Sequence, residues 1–208
     1  MLYVQQSLSP DEEILMAARF HWMYTFKAVM WIVFGISMGI AIVYGSVWWE
    51  LGQEIRASYP DLPPELYMEA QSEMVKHHGG YMHVLWGLHP GIRIATLGSF
   101  VLGLFLFANM MIIKATTEIA VTSDRLVYKR GLIARHVGEI SIDRIEGVTV
   151  LQGVLGRIFG YGRVSVRGMG VGEVILPPIE TPIEFRKAVQ EARVVKERGE
   201  RISNEERF

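Results

Sequence analysis

Two long apolar segments dominate the hydropathy pattern of the 208-residue chain. Residues 28–49 and residues 94–113 contain no Asp, Glu, Lys, Arg or His. At about 1.5 Å per residue, a helix of either length reaches roughly 30 Å, the thickness of the hydrocarbon core of a bilayer. We therefore predict two transmembrane helices. Two buried helices of a soluble protein are the disfavoured alternative, because such helices are usually shorter and carry polar residues on one face.

Aromatic and basic residues near these segments agree with a membrane location and indicate an orientation. Trp22, Tyr24, Trp48, Trp49 and Trp86 lie beside the segment ends, as in an interfacial belt. Residues 50–93 contain three Lys or Arg against six acidic residues, whereas residues 114–135 contain five Lys or Arg. The positive-inside rule then predicts a multi-pass membrane protein with both termini cytoplasmic. The first segment begins too late and runs too long for a cleaved secretory signal.

The segments before and between the spans carry local helix signals. In the N-terminal segment, residues 1–27, Ser9-Pro10-Asp11-Glu12 has the form of a capping box, and residues 14–22 fit a helix or a strand. The extracytoplasmic loop, residues 50–93, contains an amphipathic helix predicted from Pro64 to about His77 and ended by two glycines. After it comes an apolar stretch predicted to lie on the membrane or to contact a partner, with the candidate residues Tyr81, Met82, Leu85 and Trp86.

After the second span the pattern changes to short strands separated by turns. The predicted strands cover residues 116–122, 126–130, 133–142, 145–151, 163–167 and 174–176, with a compact glycine-punctuated segment at 153–162. A helix follows, with Thr181 as its N-cap and an apolar stripe that includes Phe185, Val189 and Val195. The pattern predicts a cytoplasmic α+β domain over residues 114–198, a small barrel or split sandwich closed by a helix, and a charged tail at 199–208.

Several motifs in this region resemble a known family. The run from Thr117 to Leu126 with its Thr-Ser-Asp-Arg turn, the Lys-Arg-Gly-Leu at 129–132, residues 140–150 and the Gly-Arg-x-x-Gly-x-Gly at 156–162 resemble the bacterial pleckstrin-homology-like (bPH2) domain of small membrane proteins. Glu13, His21 and Trp22 resemble it too. The resemblance implies about seven antiparallel strands in two roughly orthogonal sheets, capped by the C-terminal helix. Relatives usually join the two spans by a short connection, whereas this chain has the long loop 50–93.

The strand region has a basic excess that raises the question of lipid binding. Residues 125–167 contain eight Lys or Arg and three acidic residues. The candidate contacts for lipid or another anion are Lys129, Arg130, Arg135, Arg157, Arg163 and Arg167. The Lys then Arg-x-Arg pattern of lipid-binding eukaryotic relatives is absent. Three interpretations stay open: specific headgroup recognition, general attraction to anionic lipid, and strand faces that are simply solvated.

Small residues at helical spacing suggest a second kind of contact. Gly35 and Gly39 in the first span, and Ser99 and Gly103 in the second, form small-xxx-small pairs that let helix backbones approach closely. Packing of the two spans against each other is the first hypothesis. Packing against another protein and chance occurrence are the alternatives.

The sequence offers little support for metal or catalytic chemistry. His77, His78 and His83 crowd the outer loop and are weak metal candidates, because their spacing matches no known motif. The chain has no cysteine. Glycines 168, 170 and 172 lie between strands and fit a hairpin turn better than a nucleotide-binding loop. We therefore predict no enzyme activity and no cofactor.

Together with the family resemblance, these patterns favour an interaction module anchored in the bacterial cytoplasmic (inner) membrane. We expect it to dock a protein partner, a second copy of itself, or a larger membrane complex as an accessory or assembly subunit, and to bind no nucleic acid. A sensor of anionic lipid headgroups at the inner leaflet is the alternative function.

Overall fold

The computed structural model describes residues 2–77, 79–131, 136–170 and 172–205. The chain forms two compact units. A helical unit consists of Lys27–Asn109, and a sheet unit combines Met1–Phe26 with Met110–Phe208. The helices are α1 Leu2–Ser7, α2 Trp22–Ser58, α3 Tyr67–His77, α4 Tyr81–Gly87, α5 Pro90–Thr116, α6 Val154–Phe159 and α7 Pro182–Glu205. The strands are β1 Ile14–Ala18, β2 Glu118–Thr122, β3 Arg125–Arg130, β4 His136–Ser141, β5 Ile145–Leu151, β6 Tyr161–Gly168, β7 Gly172–Ile175 and β8 Ile179–Glu180.

Helices α2 and α5 contain the two apolar segments, and both are long and apolar enough to cross a membrane. Each extends beyond its apolar segment at both ends, and α2 continues through residues 50–58, which include the charged Glu50, Glu54 and Arg56. In the loop between them, a 3-10 turn at Pro64–Leu66 leads into α3. Gly79 and Gly80 follow α3 with φ of +82° and +91°, a backbone region that favours glycine.

The sheet unit contains two antiparallel sheets. The first has the order β1-β2-β3-β4, and the second has the order β5-β6-β7 with β8 also paired to β6. The described residues thus form eight strands, which differs from the seven expected, and the sheets do not close into a barrel. The two strands beyond the six that the sequence pattern predicts are β1, from residues 14–22 that fit a helix or a strand, and the two-residue β8.

The core of the sheet unit lies between the sheets and α7. Val121, Leu126, Val164 and Val166 are fully buried there, together with Phe185 of α7. The apolar stripe of α7 continues through Val189 and Ala192, whereas Val195 is 64% exposed. On the other face of the first sheet, Val4 of α1 covers Ala120 and Val127.

Candidate functional site

A buried carboxylate ties the N-terminal segment to the first sheet. The Glu12 side chain is 1% exposed. Its carboxylate accepts hydrogen bonds from Arg125 Nε at 3.0 Å, from Arg125 Nη2 at 2.8 Å and from Thr122 Oγ1 at 2.6 Å. Arg125 also donates to Glu139 at 2.7 Å and to the carbonyl of Ser7 at 2.6 Å. Glu12 accepts the Ser9 backbone N–H at 3.0 Å, as a capping box requires, but in a turn rather than at a helix start.

The electrostatics of this cluster keep it ionised. Burial by itself would raise the pKa of the Glu12 carboxyl, but hydrogen bonds from Arg125, Thr122 and the Ser9 N–H, with the Arg125 charge, lower the pKa to about 2. The guanidinium of Arg125 is therefore engaged within the fold. The Thr-Ser-Asp-Arg turn thus provides a structural ion pair.

Lys129 has a similar structural environment. Its ammonium lies 3.4 Å from a Glu118 carboxylate oxygen and 5.1 Å from the centre of the Tyr3 ring, and its side chain is 16% exposed. Burial alone would raise the pKa of the Glu118 carboxyl. The hydrogen bond from the Val4 N–H and the charge of Lys129 outweigh this effect, so the pKa lies below its ordinary value. The backbone N–H groups of Tyr3 and Val4 donate to Glu118 at 3.1 Å and 3.2 Å, so that this pair also holds the start of α1.

The other predicted anion contacts within the described residues are spread over three elements. Arg130 ends β3, Arg157 lies on α6, and both are exposed, as are Arg163 and Arg167 on β6. Arg135 lies outside the described residues.

The surroundings of Arg167 do not favour an anion. This residue lines a pocket of about 220 Å³ with Ser165, Glu146 and Glu173, and Ser165 donates to Glu173. Arg167 and Glu173 are also paired across β6 and β7. Two carboxylates and one guanidinium among the described lining residues leave no positive excess in this pocket.

The glycine-rich turn after β5 depends on a residue that the sequence reasoning missed. Gln152 Nε2 donates to the carbonyl of Tyr161 at 3.0 Å and to that of Gly156 at 3.4 Å. The only available signal was its position directly before the turn, where a side-chain amide can satisfy turn carbonyls.

His21, which the sequence analysis names only for the family resemblance and not for a structural role, lies directly before the first long helix. Its Nδ1 accepts the Met23 backbone N–H at 3.2 Å and its carbonyl accepts that of Tyr24 at 3.0 Å. The ring is buried and stacks on Tyr161, with 5.1 Å between centroids. His21 thus acts as the N-cap of α2, a role that Ser, Thr, Asp and Asn fill more often.

The four small residues of the two spans lie together where α2 crosses α5. A Cβ on Gly35 would lie 2.7 Å from the Ser99 carbonyl oxygen, and one on Gly103 would lie 2.6 Å from the Trp31 carbonyl oxygen. Ser99 Oγ donates to the Gly35 carbonyl at 3.2 Å and would lie 3.1 Å from a Cβ on Gly39. The two backbones are therefore in close contact inside the helical unit.

Beside this crossing the helical unit has an apolar groove of about 770 Å³. We call it the hairpin groove. It is lined along α2 from Gly35 to Leu51, and by residues of the three other helices of the unit, namely Met68, Gln71, Ser72, Val75, Leu85, Thr96 and Phe100. The predicted contact residue Leu85 thus lies in the groove. Trp86 is 71% exposed, and the side chains of Tyr81 and Met82 lie outside the described part of the structure.

The outer-loop histidines do not assemble a metal centre in the described part of the chain. His83 lines a small pocket with Glu50 and Glu54, and His77 ends α3. His78 lies outside the described residues. Among those residues, no group of three or more His, Asp or Glu side chains is placed to hold a metal ion.

Comparison with known proteins places these features in a family. The model of the bacterial PH domain matches residues 80–193, which is more than half of the chain. A curated relative, the UPF0699 transmembrane protein YdbT of Bacillus subtilis (strain 168), is 29% identical over 77 residues, covering 37% of this chain and 16% of that protein. No solved structure matches. The chain belongs to the bacterial PH domain family.

Proposed function

We propose that this chain is a membrane-anchored PH-domain module that docks an apolar helix of a partner membrane protein in the hairpin groove, as an accessory or assembly subunit of a larger complex. The observation that carries the proposal is the groove itself. It is open, apolar and formed entirely within the helical unit.

The shape and chemistry of the groove favour a protein helix as the occupant. Its lining follows α2 from Gly35 to Leu51, a rise of about 24 Å along the helix axis. None of the described residues that line it is charged, so it has no cation to bind a phospholipid phosphate. Gln71, Ser72 and Thr96 offer neutral polar groups, which suit the occasional polar side chain of a membrane helix.

The proposed topology has both spans crossing the bacterial inner membrane and both termini in the cytoplasm. Pairing of β1 with β2 supports it, because residues 14–18 and 118–122 must then lie on the same side of the membrane. The Lys and Arg excess after α5 favours the cytoplasmic side.

Lipid-headgroup sensing is the second candidate, and exposed Arg130, Arg157 and Arg163 are what favour it. Three other basic residues argue against headgroup sensing. Arg125 and Lys129 form ion pairs with carboxylates, and Arg167 shares its pocket with the carboxylates of Glu146 and Glu173. General attraction to anionic lipid fits separate arginines better than a specific headgroup site does.

Photo-crosslinking from within the groove tests the main proposal. A photoreactive phenylalanine analogue replaces Met68, which lines the groove and is 83% exposed, in the full chain expressed at native level. The matched control position is the adjacent exposed Glu69, which is not in the lining. We expect a protein adduct from position 68 and not from position 69.

Filling the groove provides the specificity control. Ser72→Trp places an indole in the lining and should abolish the adduct from position 68, whereas Glu69→Trp should leave it unchanged. An adduct with the mass of two copies would identify a second copy as the partner. Adducts with lipid alone, or equal protein adducts from both positions, would contradict the proposal.

Soluble short-chain lipids test the second candidate. The full chain in neutral detergent is titrated with short-chain phosphatidylglycerol and with the matching phosphatidylcholine while tryptophan fluorescence is recorded. If the protein senses headgroups, the fluorescence should change saturably with phosphatidylglycerol but not with phosphatidylcholine. Arg163→Gln should weaken that change. Equal responses to both lipids would exclude it.

A further inference from the structure

Helix α6 exposes nearly all of its apolar side chains. Val154 is 77% exposed, Leu155 55%, Ile158 69% and Phe159 44%. Four of its six residues thus present hydrocarbon outward. Contiguous exposed apolar surface of this kind is unusual on a protein domain and typically marks an interaction site.

The outward orientation of α6 follows from its glycines. Gly156 is the residue that α6 turns toward the sheet, where an added Cβ would lie 2.6 Å from the Tyr161 carbonyl oxygen. Gly160 then ends the helix with φ of +76°, and Gln152 bonds carbonyls on both sides of the turn. If α6 rotated about its axis to bury its apolar side chains, a larger residue would take the place of Gly156 beside the Tyr161 carbonyl oxygen, where there is no room for a side chain.

The apolar surface of α6 continues onto the first turn of α2. The Trp22 ring meets Phe159 edge-on with 5.8 Å between centroids, and Phe26 lies 6.2 Å from Trp22. Trp22 and Phe26 are each 52% exposed. We call Trp22, Phe26 and the four exposed residues of α6 the α6 patch.

The position of Trp22 and Phe26 along α2 indicates which environment suits this patch. Phe26 is two residues before the apolar segment that begins at Ala28, and Trp22 is six residues before it, about 9 Å of helix. That is the depth at which tryptophan residues gather at membrane interfaces. The patch therefore includes residues of α2 that lie directly before its apolar segment.

We propose that the α6 patch inserts into the boundary between headgroups and acyl chains of the same bilayer, so that the sheet unit has a lipid contact in addition to its two helical connections. The short apolar helix supplies the inserted side chains. Arg157, on the same helix and exposed, supplies a cation whose long side chain reaches anionic headgroups. This contact is independent of the hairpin groove and of any protein partner.

Fluorescence from a dye at a single position tests the proposal. The chain has no cysteine, so one introduced cysteine is the only site that a thiol-reactive dye can label. Ile158→Cys in the full chain is labelled with an environment-sensitive dye and reconstituted in vesicles of phosphatidylcholine and phosphatidylglycerol. The matched control is Val195→Cys on α7, since Val195 is 64% exposed against 69% for Ile158. Vesicles containing lipid spin-labelled near the top of the acyl chain provide a quencher.

We expect blue-shifted emission at position 158 and quenching several times stronger than at position 195. Emission at 158 that is as red as at 195 would place the patch in water and overturn the proposal. Blue-shifted emission without quenching by spin-labelled lipid would show that protein covers the patch, and would overturn it equally.

Discussion

Glu12 is the residue whose carboxylate attaches the N-terminal segment to the first sheet, through its ion pair with Arg125. It is buried, and its hydrogen bonds from Arg125 and Thr122 replace the water that an exposed carboxylate would have. An ion pair of this kind need not raise the free energy of unfolding compared with apolar residues, but removing one partner is costly because the other charge is left unpaired.

Neutralising this carboxylate should destabilise the sheet unit. We expect Glu12→Gln to lower the free energy of unfolding by about 2–3 kcal/mol. The loss should be smaller than for a fully buried pair, because Arg125 is partly exposed and retains its ion pair with Glu139. Hydrogen exchange of β2 and β3 amides, in the full chain in detergent, measures the change. Glu13→Gln is the control, since Glu13 is exposed and adjacent, and it should change the free energy by less than about 0.5 kcal/mol. Equal effects of the two substitutions would contradict the role assigned to Glu12.

The same carboxylate predicts a pH dependence. The pKa of Glu12 is about 2 in the folded chain against an ordinary value of 4.5, so protonation favours the unfolded state. Its contribution, about 3 kcal/mol, is complete above pH 4.5 and is lost as the pH falls toward 2. Glu118, whose pKa is also lowered, adds to the same trend. Exchange measured between about pH 6 and pH 3 should show a steeper loss in the wild type than in Glu12→Gln, and parallel curves would refute the assignment.

At the scale of elements, the crossing of α2 and α5 depends on glycine because carbonyl oxygens occupy the space that a side chain would need. The neighbours of Gly35 and Gly103 are backbone atoms, which cannot move aside as a flexible side chain can. Gly98, on the same helix α5, has open space around its Cα.

Alanine substitution separates these two environments. Gly103→Ala should push α2 and α5 apart and lower the thermal midpoint of the full chain in detergent, whereas Gly98→Ala should leave it unchanged or raise it, since alanine is the better helix former by about 1 kcal/mol. A Gly103→Ala protein as stable as the wild type would contradict the close packing.

The elements that sequence patterns predicted are those with local signals. The apolar segments follow from bilayer thickness, and the loop helix follows from Pro64 and the two glycines after His77. Strand β1 had no such signal, because Ile-Leu-Met-Ala-Ala does not alternate and its partner β2 lies about a hundred residues away. The structural roles of Gln152 and His21 were not predicted for a related reason, because their hydrogen-bond partners follow from the folded chain and not from residue type.

At the scale of the whole molecule, the sheet unit is discontinuous in sequence. Residues 1–26 supply β1, Glu12 and α1, and the remainder follows residue 110, with the helical unit inserted between. Ala18 at the end of β1 pairs with Ile119 at the start of β2. A short connection can therefore replace the whole insertion without changing the order of strands.

This arrangement predicts which soluble fragment folds. Residues 114–208 alone lack β1 and Glu12, the buried partner of Arg125, and should show little protection from hydrogen exchange in β2 and β3. Joining residue 20 to residue 117 through a short Gly/Ser linker should restore that protection, because it retains β1 and Glu12. Equal protection of both fragments would show that β1 is dispensable.

The long separation between β1 and β2 also affects the order of events during synthesis. Ile14 pairs with Thr122, so the ribosome must make more than a hundred further residues, including both long helices, before the first sheet can form. At about 5–20 residues per second, the N-terminal strand waits on the order of ten seconds for its partner. In the proposed topology, a second helix that failed to insert would leave β2 on the opposite side of the membrane from β1, and Glu12 would lack its partner Arg125. In the proposed topology, this sheet can therefore close only after both helices have crossed the membrane, and a chain that fails to close it exposes an unpaired strand to cellular proteases.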